Sequence, residues 1–297
     1  MLSFAAMSNL ESIAQLTAPG LLTDHDEIVF PTKDQKKLAR EDMLAGFRQW
    51  RIWFMLAYQD IKIRYRRSVL GPFWITLSMA ITVYSMGYLY SHLFHMELQN
   101  YFPFLVGGML AWSFISSTIT DLVETLTQEE QKIKQIKLPY SLYVNKVIAR
   151  NFIIFLHNLP ILLPILAIFH ETAKINLNSL LLFPGLALFY LNALTYGLTL
   201  SMIGARFRDV AQIVKSLVQV VFFVTPVMWN PEILPPAKRF IANLNPFYAF
   251  IEFIRCPLIG ARPSLTSWLM VTFISLLGCY LSYAMFSRYR SRIVYWL

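Results

Sequence analysis

Charge and thiols are both scarce in this chain: 14% of its 297 residues are Asp, Glu, Lys or Arg, and its two cysteines are Cys256 and Cys279. The thiols fall in different surroundings, a polar loop and an apolar run, without metal-ligand spacing, so packing is their expected role. No G-x-x-x-x-G-K-[ST] occurs, and none of the eleven glycines precedes a lysine. The chain therefore lacks a phosphate cradle for ATP and cannot power anything by itself. Carboxylates inside apolar runs are confined to Asp121 and Glu124, and His157 stands alone in another run. Intramembrane ionisable groups are expensive and mark ion pathways, so this scarcity argues against a proton-coupled carrier. A lone His157 is expected to bond a neighbouring helix. A secretory signal is not expected either: the first 40 residues lack a basic start, Glu11 interrupts the early apolar run, and Asp24-His25-Asp26-Glu27 follows with no small-residue cleavage site. Residues 1–42 are expected to form a polar cytoplasmic extension.

What the chain has in abundance is apolar surface. Hydrophobic residues make up 56% and aromatics 15%, above the roughly 45–50% apolar content of soluble domains. Six stretches reach the roughly 17–25 residues that cross the hydrocarbon core, near 70–94, 102–126, 151–169, 179–203, 210–229 and 265–286. Pro160, Pro164 and Pro184 predict kinks in the third and fourth, which a bundle tolerates. With the N-terminus in the cytoplasm, only Lys174, Lys238, Arg239, Arg255 and Arg262 of the 26 basic residues fall outside. That asymmetry puts both termini inside. It also accounts for the net charge of +9 through topology and lipid headgroups, so nucleic acid is not an expected partner.

Residues 43–66 read as an amphipathic helix on the membrane surface. Phe47, Trp50, Phe54, Tyr58, Ile61 and Tyr65 share one face, while Arg48, Arg51, Lys62 and Arg66 lie on another. A membrane anchor and a contact with a partner protein both fit it. Between the second and third spans, Gln128 to Pro139 suits a short helix outside the bilayer, stopped by Pro139, with Ile133 and Ile136 as an apolar edge among lysines. A solvated loop is one reading; a docking helix for a cytoplasmic motor is the favoured one, because the chain needs an energy source. In the fifth span Lys215, Gln219, Phe222, Pro226 and Trp229 recur at helical spacing, as do Trp74, Ile81, Tyr84 and Tyr88 in the first and Ser113, Ser117, Thr120 and Glu124 in the second. Helix packing explains the second-span set. For the first and fifth spans, packing and a glycan-lining aromatic face stand level. After the fifth span, the segment from Trp229 to Gly260 is too polar and Pro-interrupted to cross, and irregular backbone at that depth survives where it lines a cavity. A pore wall with a structured outer mouth is the expected result. A membrane-embedded glycosyl- or phosphotransferase would need clustered carboxylates for a metal; Asp121, Glu124, Glu129 and Glu130 approach one without metal-site spacing, so no metal is expected.

Five blocks then stand in order: Arg64-Tyr65-Arg66-Arg67-Ser68-Val69-Leu70-Gly71-Pro72-Phe73-Trp74, Lys134-Gln135-Ile136-Lys137-Leu138-Pro139, Ala205-Arg206-Phe207-Arg208-Asp209-Val210, Thr225-Pro226-Val227-Met228-Trp229, and Leu244-Asn245-Pro246-Phe247-Tyr248 with Pro257-Leu258-Ile259-Gly260. Together, over about residues 43–290, they resemble the type 2 ABC exporter permeases for O-antigen, capsule and teichoic acid. The resemblance implies an all-α polytopic membrane protein of six transmembrane helices, with an interface helix (43–68), a membrane domain (69–290), a coupling helix (about 128–139), re-entrant outer helices (about 230–260) and a cytoplasmic tail (291–297). It implies a homodimer in a bacterial inner membrane, joined to two copies of a separate ATPase that binds ATP and Mg, with no cofactor on this chain. The cargo implied is a polyprenyl-diphosphate-linked polysaccharide. Carried over by position, Tyr84, Tyr88, Gln219, Phe222, Phe223 and Trp229 become channel residues. Arg64, Arg66 and Arg67 become the inner rim that meets the diphosphate. Gln131, Lys132, Ile133, Lys134, Ile136, Lys137 and Pro139 become the coupling site, and Pro231, Pro235, Asn245, Pro246 and Tyr248 the outer gate. A drug or lipid exporter of the same superfamily is the nearest alternative; the aromatic outer segment weighs against it.

Overall fold

The computed structural model describes residues 33–93 and 95–297. The expectation for residues 1–32 lies outside the described residues, whereas residues 33–42 are helical. Among the described residues every regular element is a helix. Two helices open the chain, α1 (Lys33–Arg48) and α2 (Trp50–Arg64). They are followed by α3 (Phe73–Leu93), α4 (Leu98–Gln128), the short α5 (Glu130–Gln135), α6 (Tyr140–Asn158) and α7 (Leu162–Ile168). Then come α8 (Leu182–Arg206), α9 (Asp209–Val224), α10 (Phe240–Asn243), α11 (Pro246–Leu258), α12 (Leu265–Tyr289) and α13 (Ile293–Trp296).

Among the described residues four helical stretches are long and apolar enough to cross a membrane: Leu98–Gln128, Tyr140–Ile168, Leu177–Arg206 and Leu265–Trp296. They contain the expected second, third, fourth and sixth spans. The third begins at Tyr140 rather than 151, because its first turns bury Lys146 and Arg150 in protein instead of leaving them in a loop. Near Pro160 the helix tightens into a 3-10 turn at Leu159–Ile161, where the ring cannot supply a donor. The expected first and fifth spans are the helices α3 and α9, and neither reaches the same measure. α3 is diluted by Ser78, Thr82, Ser85, Ser91 and three tyrosines. α9 has 16 residues, about 24 Å at 1.5 Å per residue. It stops at Val224 because Pro226 drives the preceding Thr225 into extended backbone. The face expected to run from Lys215 to Trp229 is therefore cut: Pro226 and Trp229 lie beyond the helix.

α4 is the centre of the assembly. It packs against α3, α6, α8, α9 and α11, and α8 in turn packs on α12. Phe114 of α4 sits 4.8 Å from the Phe155 ring and 4.3 Å from the Phe189 ring, tying α4 to α6 and α8. Within lipid such contacts act through close packing rather than through release of water.

The expected single amphipathic helix over 43–66 is two helices, broken at Gln49. Its aromatic face is exposed at Phe47, Trp50, Phe54 and Tyr58, but Ile61 of the same face is buried, as is Ala57 one turn before it, and Tyr65 lies past the helix end. α2 packs on α6.

Candidate functional site

The first turns of α6 carry an ion-paired platform. Asp60, the one carboxylate of α2, meets Lys146 of α6 at 2.8 Å, and Lys146 also meets Glu129 at 2.6 Å, at the junction of α4 and α5. Arg150, one turn along α6, bonds Asp60 at 3.3 Å and Asp121 of α4 at 2.9 Å. Burial opposes the charge on Glu129, yet hydrogen bonds from Lys132 and Lys146 outweigh it and hold its carboxyl below the usual range. The start of α5, the expected coupling helix, is thereby tied to α2 and to α6.

A second tie grips its far end. The Asp42 carboxylate, on α1, accepts the backbone N–H of Tyr140 at 3.2 Å and of Ser141 at 3.1 Å. It thus caps α6 from another helix, a task usually done by the residue before the helix. Arg290 at the end of α12 pairs with the same carboxylate at 2.9 Å. The approach demands glycine at position 46: a Cβ there would stand 2.1 Å from Ser141 Oγ. Between these ties lies a depression of about 670 Å³, lined by Glu41, Gln49, Ile133, Lys134, Ile136 and Arg290 among others.

α5 itself presents Gln131, Lys132 and Lys134 to solvent, and beyond it Ile136 and Lys137 are exposed. The expected edge of Ile133 and Ile136 divides: Ile133 turns inward against the core, while Ile136 is extended backbone beyond the helix and 53% exposed. Pro139 is the residue before α6. Lys132 and Lys134 pair with Glu129 at 2.7 Å and Glu130 at 2.6 Å. Lys137 has no carboxylate within salt-bridge distance among the described residues. At the other side of the interface helix, Arg64, Arg66 and Arg67 are exposed and line one open depression of about 460 Å³ with Tyr65 and Ser68.

α3 and α9 each carry an exposed face of polar and aromatic side chains. On α9, Gln212, Ser216, Gln219 and Phe223 follow at spacings of four, three and four, so they share one side, and all are exposed. The helix has no buried residue at all. On α3 the exposed side holds Trp74, Ser78, Ile81, Ser85, Tyr88 and His92, with Tyr88 at 64% exposure. Of the expected channel residues, Tyr88, Gln219 and Phe223 stand on these faces. Tyr84 is half-buried, donating its hydroxyl to the Ile161 carbonyl at 2.6 Å, and Phe222 leans on Trp112 of α4 at 5.6 Å. Trp229 is half-buried after the helix.

Residues 51–259, more than half of the chain, match the family profile described as ABC-2 type transporter. The chain belongs to this family. Curated relatives include two proteins named O-antigen export system permease protein RfbA from Klebsiella pneumoniae. Each is 22% identical, over 201 and 199 residues, covering 66% of this chain and 76% of the relative. A third of the same name, from Myxococcus xanthus, is 25% identical over 201 residues, 66% of this chain and 75% of the relative. In this ABC-2 transporter chain the matched region opens in α2 and closes just past α11, so α2 from its second residue on, α5 and the segment from Trp229 to Ile259 fall within it. Asp42 and Arg290 lie outside it.

The segment expected as outer helices, about 230–260, holds 3-10 turns at Pro231–Ile233 and Pro236–Lys238, then the helices α10 and α11. Pro231 and Tyr248 are buried, and Pro235 and Pro246 are exposed. Asn245 caps α11 by accepting from Phe247 and Tyr248, and donates to Thr225 Oγ1 at 3.0 Å. His157 bonds the Ile153 carbonyl of its own helix at 2.8 Å, not a neighbour as expected. The sequence reading passed over Asp42, Asp60, Lys146 and Arg150 as working residues. Asp60 carried a signal, a lone carboxylate in a basic, aromatic helix; Asp42 carried none, because its partners are about a hundred residues away.

Proposed function

We propose that this chain is the permease subunit of an ABC exporter that moves polyprenyl-diphosphate-linked polysaccharide, O-antigen first among the candidates, across the bacterial inner membrane. In this reading it works as a homodimer with two copies of a separate ATPase that supplies ATP and Mg chemistry. It has six spans and keeps both termini in the cytoplasm, with α3 and α9 as the first and fifth spans. The observation that carries it is the pair of exposed faces on α3 and α9. The Gln212 and Gln219 amides turned to lipid would lack partners at a cost of several kcal/mol each; turned to a glycan they hydrogen-bond its hydroxyls, and the rings of Trp74, Tyr88 and Phe223 give sugar rings flat surfaces. The names of the relatives agree with that cargo.

The proposed sequence begins with the lipid diphosphate at Arg64, Arg66 and Arg67, whose guanidinium groups give charge-assisted bonds to phosphate oxygens. ATP binding in the partner then presses on α5, and the ties at Glu129 and Asp42 pass the motion to the interface helices and α6. α3 and α9 part from their counterparts in the second copy, and the glycan slides between them toward the outer segment. The transferase alternative has lost its carboxylates: Asp121, Glu124, Glu129 and Glu130 are each engaged by Arg150, Lys215, Lys146 or Lys134.

Replacing Tyr88, Gln219 and Phe223 together by alanine is expected to abolish surface polysaccharide while the permease still copurifies with its ATPase. None of the three side chains supports the core, so stability should change little. Normal surface polysaccharide in the triple variant would refute the channel assignment.

A further inference from the structure

Arg255 is the bulkiest of the fully buried side chains, with 2% exposure, in a helix at the outer end of the molecule. A guanidinium stays charged at any working pH, and a buried charge without a partner is costly. Yet no carboxylate lies within salt-bridge distance of Arg255 among the described residues. Glu252, one turn earlier on α11, gives its carboxylate to the hydroxyls of Ser264 and Ser267. Arg255 instead donates from Nη1 to the Pro226 carbonyl at 3.1 Å. Its Cζ lies 3.9 Å from the Phe104 ring centroid and 5.4 Å from that of Tyr248, so ring faces take the place of an anion.

What it grips is the unwound stretch immediately after α9. Thr225 and Val227 are fully buried although α9 itself buries nothing. Asn245 holds Thr225 from the same side as Arg255. α4 closes in on the same stretch beside Arg255: a Cβ on Gly108 would stand 2.5 Å from the Val227 carbonyl oxygen and 3.4 Å from Arg255 Nη1. Near its middle α9 has one ion pair, Lys215 with Glu124 of α4, and Phe222 leans on Trp112. The helix thus rests on α4 along one side only, buries none of its own residues, and is held past its C-terminal end through the Pro226 carbonyl.

We propose that Arg255 is a positioning residue for transport: it fixes the outer end of α9 and confines that helix's movement to a hinge at Thr225–Val227. The functional half of this inference rests on α9 being a pore wall; the mechanical half does not. When α9 swings, Arg255 keeps the Pro226 carbonyl in place, so the inner part of the helix travels while its outer end stays in register with α11. Glutamine at 255 would bury without the charge, and its amide nitrogen, two bonds nearer the backbone than Nη1, would fall short of the carbonyl, so the outer end of α9 would slip.

The test is hydrogen exchange followed by mass spectrometry on the permease–ATPase complex in lipid nanodiscs, with export measured in cells. In Arg255→Gln, amides at Thr225 and from Val227 to Trp229 are expected to exchange faster by on the order of tenfold, with α4 and α6 unchanged. ATP hydrolysis should persist while export falls. Arg255→Lys keeps a donor for Pro226 and should restore part of the protection and part of the export, which a loss of bulk alone would not. Gly108→Ala attacks the same stretch from α4 and should loosen the same amides. Should Arg255→Gln unfold, the lysine and Gly108 variants decide. Unchanged exchange at 225–229 in those variants, or loosening spread evenly over all helices, would overturn the clamp. Local loosening with normal export would leave the clamp standing and overturn instead the pore-wall reading of α9.

Discussion

Lys146→Ala is expected to lower the folding stability of the permease by about 3 kcal/mol, the lower end of the range for removing one member of a buried ion pair. The Lys146 side chain is 3% exposed and serves Asp60 and Glu129 at once. Removing it leaves two carboxylates facing each other across the junction of α2, α4 and α6. The loss stays at the lower end because Arg150 still reaches Asp60 and Lys132 still reaches Glu129. Lys132→Ala is the control: that side chain is 52% exposed, and exposed pairs contribute up to about 1 kcal/mol. Denaturant titration of the two variants in detergent separates them, and equal losses would contradict the platform. The sign of the pH effect follows from Glu129, whose carboxyl is held below its ordinary value of 4.5. A depressed carboxylate stabilises the fold above that value, and the contribution fades as pH falls through the folded-state value. Acid should therefore narrow the gap between wild type and Lys146→Ala.

Asp42→Ala is expected to cost a comparable amount, about 3 kcal/mol, by adding a lost helix cap to a lost partner for Arg290. The carboxylate side chain is fully enclosed and accepts two backbone N–H groups and the Ser141 hydroxyl. Asp42→Asn retains an acceptor for one of the N–H groups and loses the charge, so it should cost about 1 kcal/mol. The functional effect should exceed the mechanical one. Pro139 and Tyr140 follow directly on the coupling segment, and without Asp42 a push on α5 would be spent in moving that segment rather than α6. The ratio of glycan exported to ATP hydrolysed should therefore fall in Asp42→Ala and be largely kept in Asp42→Asn. A wild-type ratio in Asp42→Ala would show that the cap at Asp42 takes no part in coupling.

Much of this architecture was legible in the sequence wherever a single stretch carries its own reason. Four apolar runs announce α4, α6, α8 and α12 through length alone. Pro226 marks the end of α9, although helical spacing suggested that the face ran on to Trp229; a residue preceding proline seldom stays helical, and that local rule prevailed over the spacing. The basic turn at Arg64 to Arg67 and the charged segment at Gln128 to Pro139 stand out because charge is rare elsewhere. The illegible parts depend on partners distant in the chain. Lys146 and Arg150 read as loop charges that set topology, and became buried when α6 reached back to Tyr140. Phe222 and Phe223 are neighbours of the same type, but only contact with Trp112 tells that the first packs and the second is free. Arg255 counted as one outside charge among five, and nothing near it in sequence reveals the Pro226 carbonyl it holds.

The central claim, that a glycan passes along the exposed faces of α3 and α9, is tested most directly by photocrosslinking from Gln219. A photoreactive amino acid at that position, in cells making the polysaccharide and the partner ATPase, is expected to yield an adduct carrying the glycan. That adduct should disappear when the ATPase is inactivated or the glycan is not made. Adducts with phospholipid alone, unchanged by the presence of glycan, would mean that the face of α9 looks into the bilayer and would contradict the account.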